Sequence, residues 1–152
     1  MVEVGKADII RHFVNSSGRK IALFGLGPML TLAKQAAEVL AKDGVDVAVV
    51  NPRYFKPLDI QVHQFFGQTA DLVITLEDHV LAGGYGSAVL ELFNETGIKT
   101  PVNRVAWPDQ FIEHASSVDY LRGKYGLSVE RIVADVRAFA ATGIESLRTK
   151  VA

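Results

Sequence analysis

Apolar runs alternate with amphipathic segments along most of this chain. Four runs are short, nearly continuous in apolar residues and bounded by turn residues, and they lie at 21–26, 45–50, 72–76 and 101–107. Such runs are typical of parallel strands that are buried on both faces. Between the first two runs, apolar residues recur at helical spacing at Leu30, Ala33, Ala37 and Leu40. The alternation predicts an α/β fold in which helices cover a mainly parallel sheet.

Residues that suit helix ends support this interpretation. Pro28 suits the first turn of the first helix, and Asp59 and Ser128 suit the N-caps of two later helices. Gly97 follows the third helical stretch, where glycine commonly ends a helix. The pattern is loose between Pro108 and Gly126, and it predicts no clear helix or strand there.

The segment before the first apolar run has a different pattern. Residues 9–14 alternate along an extended stretch, and a turn at 15–18 leads into the first run. This predicts an antiparallel hairpin at one edge of the sheet. We therefore expect a three-layer α/β sandwich with about four parallel strands and one antiparallel edge strand.

Length and composition narrow the possibilities. The chain has 152 residues, 49% of them apolar and 22% charged, with a formal net charge of −1. These values favour one domain that folds alone, and they do not favour binding to nucleic acid or to an anionic membrane. We expect the single domain to span 1–152, with an edge hairpin lead-in at 2–20, a core at about 19–141 and a weakly patterned tail at 142–152.

Cysteine usage and targeting signals give further limits. The chain has no cysteine, which excludes disulfides, thiolate metal sites and cysteine nucleophiles. Its N-terminus lacks the architecture of a signal peptide, and no apolar run is long enough to span a bilayer. We expect a soluble, cytoplasmic protein.

The first candidate site follows the third predicted strand. Glu77, Asp78 and His79 are three titratable residues in sequence, and a glycine-rich turn that includes Gly83, Gly84, Tyr85 and Gly86 follows them. An acid/base cluster is one interpretation. Successive residues point in different directions, however, so all three cannot face one substrate. The alternative is that at least two of them are structural or interfacial, capping amides of the glycine turn or pairing across subunits.

A second candidate is the turn from Gly25 to Gly27, between the first strand and the first helix. It resembles part of a dinucleotide-binding turn, but Leu30 replaces the third glycine and Asn51 replaces the acidic residue that would bind a ribose. We therefore do not expect NAD. An anion could bind the amides of this helix start with Arg53 nearby. The alternative is a tight turn that simply needs glycine.

The third candidate is the loop after the fourth strand, which contains Asp109, Glu113 and His114. No pair of histidines has the spacing of a metal site on a helix, so we expect no metal. His12 and His63 are predicted to be surface residues. No nucleophile elbow, P-loop or metalloprotease motif occurs.

Three segments together resemble a known family, and they are 51–59, 77–89 and 108–114. They are similar to the C-terminal domain of 1-deoxy-D-xylulose-5-phosphate synthases, which belong to the transketolase-like thiamine-diphosphate enzymes. The turn at 25–29 matches as well, so the resemblance covers about 2–140. It implies a transketolase C-terminal-domain-like fold and an excised or separately encoded C-terminal domain.

The resemblance also implies a division of labour between domains. Such enzymes condense pyruvate with glyceraldehyde 3-phosphate and release carbon dioxide. Thiamine diphosphate and magnesium are then expected in the pyrophosphate-binding and pyrimidine-binding domains of the parent enzyme, and none in this chain. This domain would serve homodimerisation and packing against those domains, without a catalytic residue of its own. The implied interface residues are Glu77, Asp78, His79, Gly83, Gly84, Tyr85, Asp109, Phe111 and His114.

Other functions stay open at this point. One is a stand-alone anion- or nucleotide-binding regulatory module that uses the helix starts after Gly27 and Gly86. Another is the C-terminal domain of a different transketolase-like enzyme, and a third is a self-contained enzyme that uses His79 with a neighbouring carboxylate. If neighbouring domains cover this one, the isolated chain should expose apolar surface, for which the candidates are Tyr54, Phe55, Tyr85 and Phe111.

Overall fold

A computed structural model describes residues 3–15, 17–114 and 116–143 of the chain. Its sheet has five strands in the order β1-β3-β2-β4-β5. The strands are β1 (Asp8–Arg11), β2 (Lys20–Gly25), β3 (Asp46–Asn51), β4 (Leu72–Val80) and β5 (Val102–Trp107). Strands β2 to β5 are parallel, and β1 is antiparallel to its neighbour β3. The predicted α/β sheet of four parallel strands and one antiparallel edge strand is confirmed.

The edge strand differs from the prediction in its partner. β1 does not form a hairpin with β2, because it pairs with β3, and Ile9 lies opposite Val50. The predicted hairpin is therefore wrong, although the antiparallel edge position is right. Asp46 explains the connection: its carboxylate accepts hydrogen bonds from the amides of Val14 and Asn15, at 3.0 and 2.9 Å, so the link passes the start of β3.

Five helices connect or follow the strands. They are α1 (Met29–Lys42), α2 (Ile60–Thr69), α3 (Tyr85–Thr96), α4 (Val118–Lys124) and α5 (Val129–Thr142). The predicted caps are confirmed, since the side chain of Asp59 accepts from the amide of Val62 and that of Ser128 from the amide of Arg131. The sequence pattern missed α4 because this short helix buries none of its residues and so has no apolar stripe.

Alternate residues of the strands build two apolar layers. On one face Leu23, Val49 and Ile74 pack with α1 and α5, and on the other Phe24, Val50 and Val73 pack with α2 and α3. Because alternate residues of a strand face opposite layers and both layers are apolar, the central strands contain nearly continuous apolar runs. The three-layer arrangement leaves the loops at the carboxyl ends of the strands to form a separate surface.

The end of β4 changes the picture of the candidate site. β4 continues to Val80, four residues beyond its predicted end, so Glu77 to His79 belong to the strand and not to a loop. Its pairing with β5 is irregular between Leu76 and Val80. The predicted tail lies mostly outside the described residues, which end at Gly143.

Candidate functional site

The carboxyl ends of the four parallel strands meet at one edge of the sheet, where α/β proteins commonly bind ligands. The end of β4 and the segment after β5 both lie at this edge. Four residues from them, Asp78, His79, Glu113 and His114, line one shallow depression of about 420 Å³. The predicted convergence of these two segments is confirmed.

Glu77 points away from this depression and into the domain. Its side chain is 1% exposed, and its two carboxyl oxygens accept hydrogen bonds from the amides of Tyr85 and Gly86, at 2.6 and 2.9 Å. These amides belong to the first turn of α3, which has no acceptor of its own for them. A carboxylate is also favoured there by the helix dipole. The predicted capping of the glycine turn is confirmed for Glu77.

The glycine turn closes tightly around this carboxyl group. A Cβ atom at Gly84 would collide with the Glu77 side chain, lying 2.7 Å from its Cδ. Gly84 has an ordinary backbone, with φ of −86°, so close approach and not backbone conformation requires glycine there. Gly83 has a φ of +71°, and its amide donates to Ser87 Oγ.

Asp78 faces the opposite side of β4 and joins two later elements. Its carboxylate accepts hydrogen bonds from Trp107 Nε1 on β5, at 2.7 Å, and from Arg122 Nη2 on α4. Partial burial opposes ionisation of Asp78, but the bonds from Arg122 and Trp107 outweigh it and lower its pKa. Asp78 therefore attaches α4 to the end of the sheet.

The remaining predicted residues are exposed. His79 contacts only the neighbouring carbonyl of Val80 through Nδ1, at 3.1 Å, among the described hydrogen bonds. Asp109 and His114 lie on the surface, and Phe111 is fully exposed. Glu77, Asp78 and His79 thus occupy three separate environments and do not form an acid/base cluster.

Tyr85 is a correction to the sequence analysis. It was expected to contribute exposed apolar surface, but it is 1% exposed and packs in the layer between the sheet and α3. Phe55 and Phe111 are exposed as expected, and Tyr54 is half-buried. The inward position leaves no polar group unsatisfied, because the Tyr85 hydroxyl lies 2.8 Å from Nε2 of His63.

The turn at Gly25 is tight for a steric reason. A Cβ atom at Gly25 would lie 2.6 Å from Cα of Leu30, in the backbone of α1. The first amides of α1 already have acceptors, since Leu30 N donates to the carbonyl of Gly27 and Thr31 N to that of Pro28. These contacts favour a turn that needs glycine.

Arg53, the other member of the predicted anion site, is engaged elsewhere. Its Nη2 forms an ion pair with Asp8 Oδ2 at 3.0 Å, which ties the segment after β3 to the edge strand β1. Within the described residues, no contact of its guanidinium supports an anion at the start of α1. The anion site at Gly25, Gly27 and Arg53 stays a prediction without support from these contacts.

His63 lies in a different environment from the one that its sequence predicts. It was predicted on the surface, yet it is fully buried and stacks on Phe24, with ring centroids 4.8 Å apart. Phe65, two residues later on the same helix, is 47% exposed. His63 lies three residues before the buried Phe66, so both share the inward side of α2.

A buried chain of hydrogen bonds runs through His63. Its Nδ1 lies 2.7 Å from the carbonyl oxygen of Asp59, which can only accept, so Nδ1 carries the proton. Its Nε2 then accepts from the Tyr85 hydroxyl at 2.8 Å. The Asp59 carboxylate in turn accepts from the amide of Ala7 at 3.0 Å. The network connects the N-terminal segment to the start of α3.

Acid should weaken the fold through His63. Desolvation by burial lowers the pKa of His63 below 6.5, although the carbonyl and the charge of Asp59 oppose this. As the pH falls below 6.5, the unfolded chain takes up a proton at this residue and the folded chain does not. Stability should therefore decrease by up to about 1.4 kcal/mol per pH unit until the pH reaches the folded pKa.

Urea unfolding at a series of pH values checks this for the native chain, for His63→Gln and for the exposed control His12→Gln. The native chain and the His12 variant should lose stability with equal slopes between pH 6.5 and the onset of carboxylate titration. The His63 variant should have a smaller slope. Equal slopes in all three chains would contradict the assignment.

The described part of the chain has neither a metal-binding cluster nor a membrane-spanning helix. In residues 3–15, 17–114 and 116–143, no three His, Cys, Asp or Glu side chains are grouped so that they could hold a metal ion. Over the same residues, no helix has the length and apolar character needed to cross a membrane.

Comparison with known proteins gives consistent results. The family model described as the transketolase C-terminal domain matches residues 11–132. The 1-deoxy-D-xylulose-5-phosphate synthase of Methylacidiphilum infernorum is 45% identical over 130 residues, which cover 86% of this chain and 20% of the relative. That of Acidobacterium capsulatum is 47% identical over 127 residues, covering 84% and 19%. The chain thus spans about a fifth of the length of these relatives.

A solved structure has the same fold. It is described as a split gene transketolase in an inactive beta4 tetramer, and it superposes with a TM-score of 0.78 at 32% sequence identity. The match covers 90% of this chain and 42% of that one.

Proposed function

Because this chain belongs to the transketolase C-terminal domain family, we propose that it serves as the C-terminal domain of a 1-deoxy-D-xylulose-5-phosphate synthase. The observation that carries the choice of enzyme is the identity of 45% and 47% to two such synthases over more than four fifths of the chain. Identity to the split gene transketolase is lower, at 32%. The parent enzyme would join pyruvate to glyceraldehyde 3-phosphate with loss of carbon dioxide.

Thiamine diphosphate would supply the carbanion that adds to pyruvate, and magnesium would hold its pyrophosphate. The donors in this chain do not fit that group. Glu77, the carboxylate closest to the glycine turn, is committed to two amides of α3, and Asp78 is committed to Arg122 and Trp107. We therefore assign both the cofactor and the chemical steps of the reaction to other domains of the parent enzyme.

The proposed role of this domain is to pack against those domains and to support a homodimer. Exposed apolar side chains at the carboxyl edge lie in two places: Phe55 and Ile60 line a depression beside α3, and Val118 lines the depression between the ends of β4 and β5, to which the loop with Phe111 belongs. Large exposed apolar groups are typical of surfaces that a partner covers. His79 and His114 line the second depression and would be covered with it.

Purification of the whole gene product that contains this chain tests the proposed activity. With thiamine diphosphate and magnesium, carbon dioxide should be released from pyruvate only when glyceraldehyde 3-phosphate is present. Xylulose 5-phosphate should not replace pyruvate as donor. Use of that ketose would favour another transketolase-like enzyme, and synthase activity of the 152-residue chain alone would overturn the assignment of the chemistry to other domains.

The interface role predicts a selective effect of Phe111→Ser. Because Phe111 is fully exposed, the isolated chain should keep its melting temperature. In the whole gene product the same change should weaken domain or subunit contact, since an apolar anchor is lost from a covered surface. Sedimentation and limited proteolysis of the whole protein measure this, with Val14→Ser as the exposed control. Unchanged behaviour of the Phe111 variant in both assays would remove this residue from the interface.

A further inference from the structure

β5 has a neighbouring strand on one side only, because it is the last strand of the sheet. The carbonyl of Pro101 accepts a hydrogen bond from the amide of Val73 on β4, at 3.0 Å, and that of Trp107 accepts from the amide of Leu81, just after β4, at 2.8 Å. Backbone groups alternate in direction along a strand, so those of Val102, Arg104 and Ala106 point away from β4. Among the described residues, no backbone group beyond β4 forms a hydrogen bond with these outward amides and carbonyls. The chain therefore presents an open strand edge.

A groove of about 720 Å³ follows this open edge. Its floor includes the three outward residues of β5, and one wall is formed by Gly123 to Gly126 with Arg131 at the start of α5. The charged residues that line it are Arg104, Lys124 and Arg131, and no aspartate or glutamate is among its lining residues. The groove thus brings three cationic side chains beside an unpaired strand.

Arg104 differs from the other two cations in its partners. Lys124 pairs with Glu113, and Nε of Arg131 bonds to Asp135 at 2.9 Å. Nη1 of Arg104 donates to the carbonyl of Leu81 and to Ser87 Oγ, at 3.0 and 3.1 Å, and both acceptors are uncharged. No ion pair of Arg104 occurs within residues 3–15, 17–114 and 116–143. A partly buried guanidinium that has no ion-pair partner favours binding of a carboxylate.

We propose that the β5 edge binds an extended acidic segment of a partner protein, which adds to the sheet as a further strand and places a carboxylate beside Arg104. Main-chain hydrogen bonds to Val102, Arg104 and Ala106 give such a complex its affinity, and the flanking charges select an acidic sequence. This interaction does not depend on the proposed enzyme, and it uses a surface separate from Phe111.

A second copy of this chain is a poor occupant of the same edge. Antiparallel pairing of two β5 strands about Arg104 would set two Arg104 side chains opposite each other, and directly opposed like charges destabilise a sheet. The other edge of the sheet is also less suited. β1 has only four residues and an irregular register with β3, and short irregular strands resist strand addition.

Fluorescence anisotropy with a labelled peptide of alternating glutamate and valine tests the proposal. One control peptide has lysine in place of glutamate. A second keeps the acidic sequence but is N-methylated at every second residue, which removes the strand hydrogen bonds without changing the charge. The acidic peptide should bind, and each control should bind at least about tenfold more weakly.

Variants and amide exchange locate the binding. Arg104→Gln should weaken binding of the acidic peptide about tenfold, whereas Lys34→Gln, on the exposed face of α1, should leave it unchanged. Ala106→Pro removes an outward amide and should abolish binding without breaking the β4 ladder. If either variant fails to fold, hydrogen exchange on the native chain still decides, because the amides of Arg104 and Ala106 should exchange more slowly with the peptide bound.

Three results would overturn the proposal. Equal affinity for the N-methylated peptide would mean charge attraction alone, and equal affinity for the lysine peptide would remove the role of Arg104. Self-association of the chain that Ala106→Pro abolishes would mean that a second copy occupies the edge.

Discussion

Replacement of Glu77 by alanine should lower the free energy of unfolding by about 3 kcal/mol. The change leaves the amides of Tyr85 and Gly86 without an acceptor in a buried place, and it opens a cavity under the first turn of α3. For a domain of this size the melting temperature should fall by roughly 6–12 °C. Urea and thermal unfolding of the native and variant chains measure the effect.

Two further variants separate the hydrogen bonds from the volume. Glu77→Gln keeps the shape but offers one acceptor oxygen and a nitrogen that cannot accept, so it should lose roughly half of the stability lost by the alanine variant. Glu95→Gln changes a carboxylate on the exposed side of the same helix and should have little effect. A native-like stability for Glu77→Ala would mean that water or another side chain caps α3 equally well.

A second substitution shows whether Gly84 is there to make room for Glu77. Gly84→Ala should be destabilising in the native chain, because the added Cβ displaces the carboxyl group. It should be much less destabilising in a chain that already carries Glu77→Ala, since the obstructed group is gone. A double-mutant cycle measures this coupling, and additive effects would contradict the close contact.

Replacement of Gly25 by alanine should destabilise the chain by about 3 kcal/mol. The new Cβ would lie 2.6 Å from Cα and 2.9 Å from N of Leu30, and these backbone atoms cannot move without shifting α1 against β2. Gly27→Ala is the matched control two residues later. Its position has open space but a φ of +59°, so only a backbone penalty of about 1 kcal/mol should remain.

Equilibrium unfolding of the two variants distinguishes a packing requirement from a conformational one. If Gly27→Ala is the more damaging change, backbone conformation and not the approach of α1 to β2 explains the glycines. Titration of both chains with phosphate adds a second reading. Phosphate that stabilises the native chain but not these variants would revive an anion site at this turn.

Sequence periodicity was sufficient for the sheet because burial on both faces gives β2, β3 and the first part of β4 nearly continuous apolar runs. It was insufficient where contacts with residues distant in sequence determine the structure. β1 pairs with β3, and Asp46 holds the segment after β1 there by accepting from the amides of Val14 and Asn15, which alternation within the segment cannot reveal. α4 is held by Asp78 and not by an apolar stripe, so its sequence looks like a loop.

The candidate site followed the same division. Its position at the carboxyl edge follows from parallel strands, and the capping role of Glu77 follows from a carboxylate placed before a helix start. The burial of His63 required knowledge of Tyr85, 22 residues later, because the hydroxyl of that residue makes an inward imidazole acceptable. Pairings of this kind depend on three-dimensional proximity, and a single sequence carries little sign of them.

The hydrogen-bonded path through Asp59 and His63 matters for anyone who recombines such enzymes. It begins at the amide of Ala7, just before β1, and ends at the helix that Glu77 caps. A chimera joined after Ala7 would exchange the residue that donates to Asp59 but keep Asp59 itself, so the incoming segment must supply an amide in the same place. A splice point upstream of Gly5 takes Ala7, Asp59, His63 and the start of α3 from one parent. At that junction the domain can be moved as a unit.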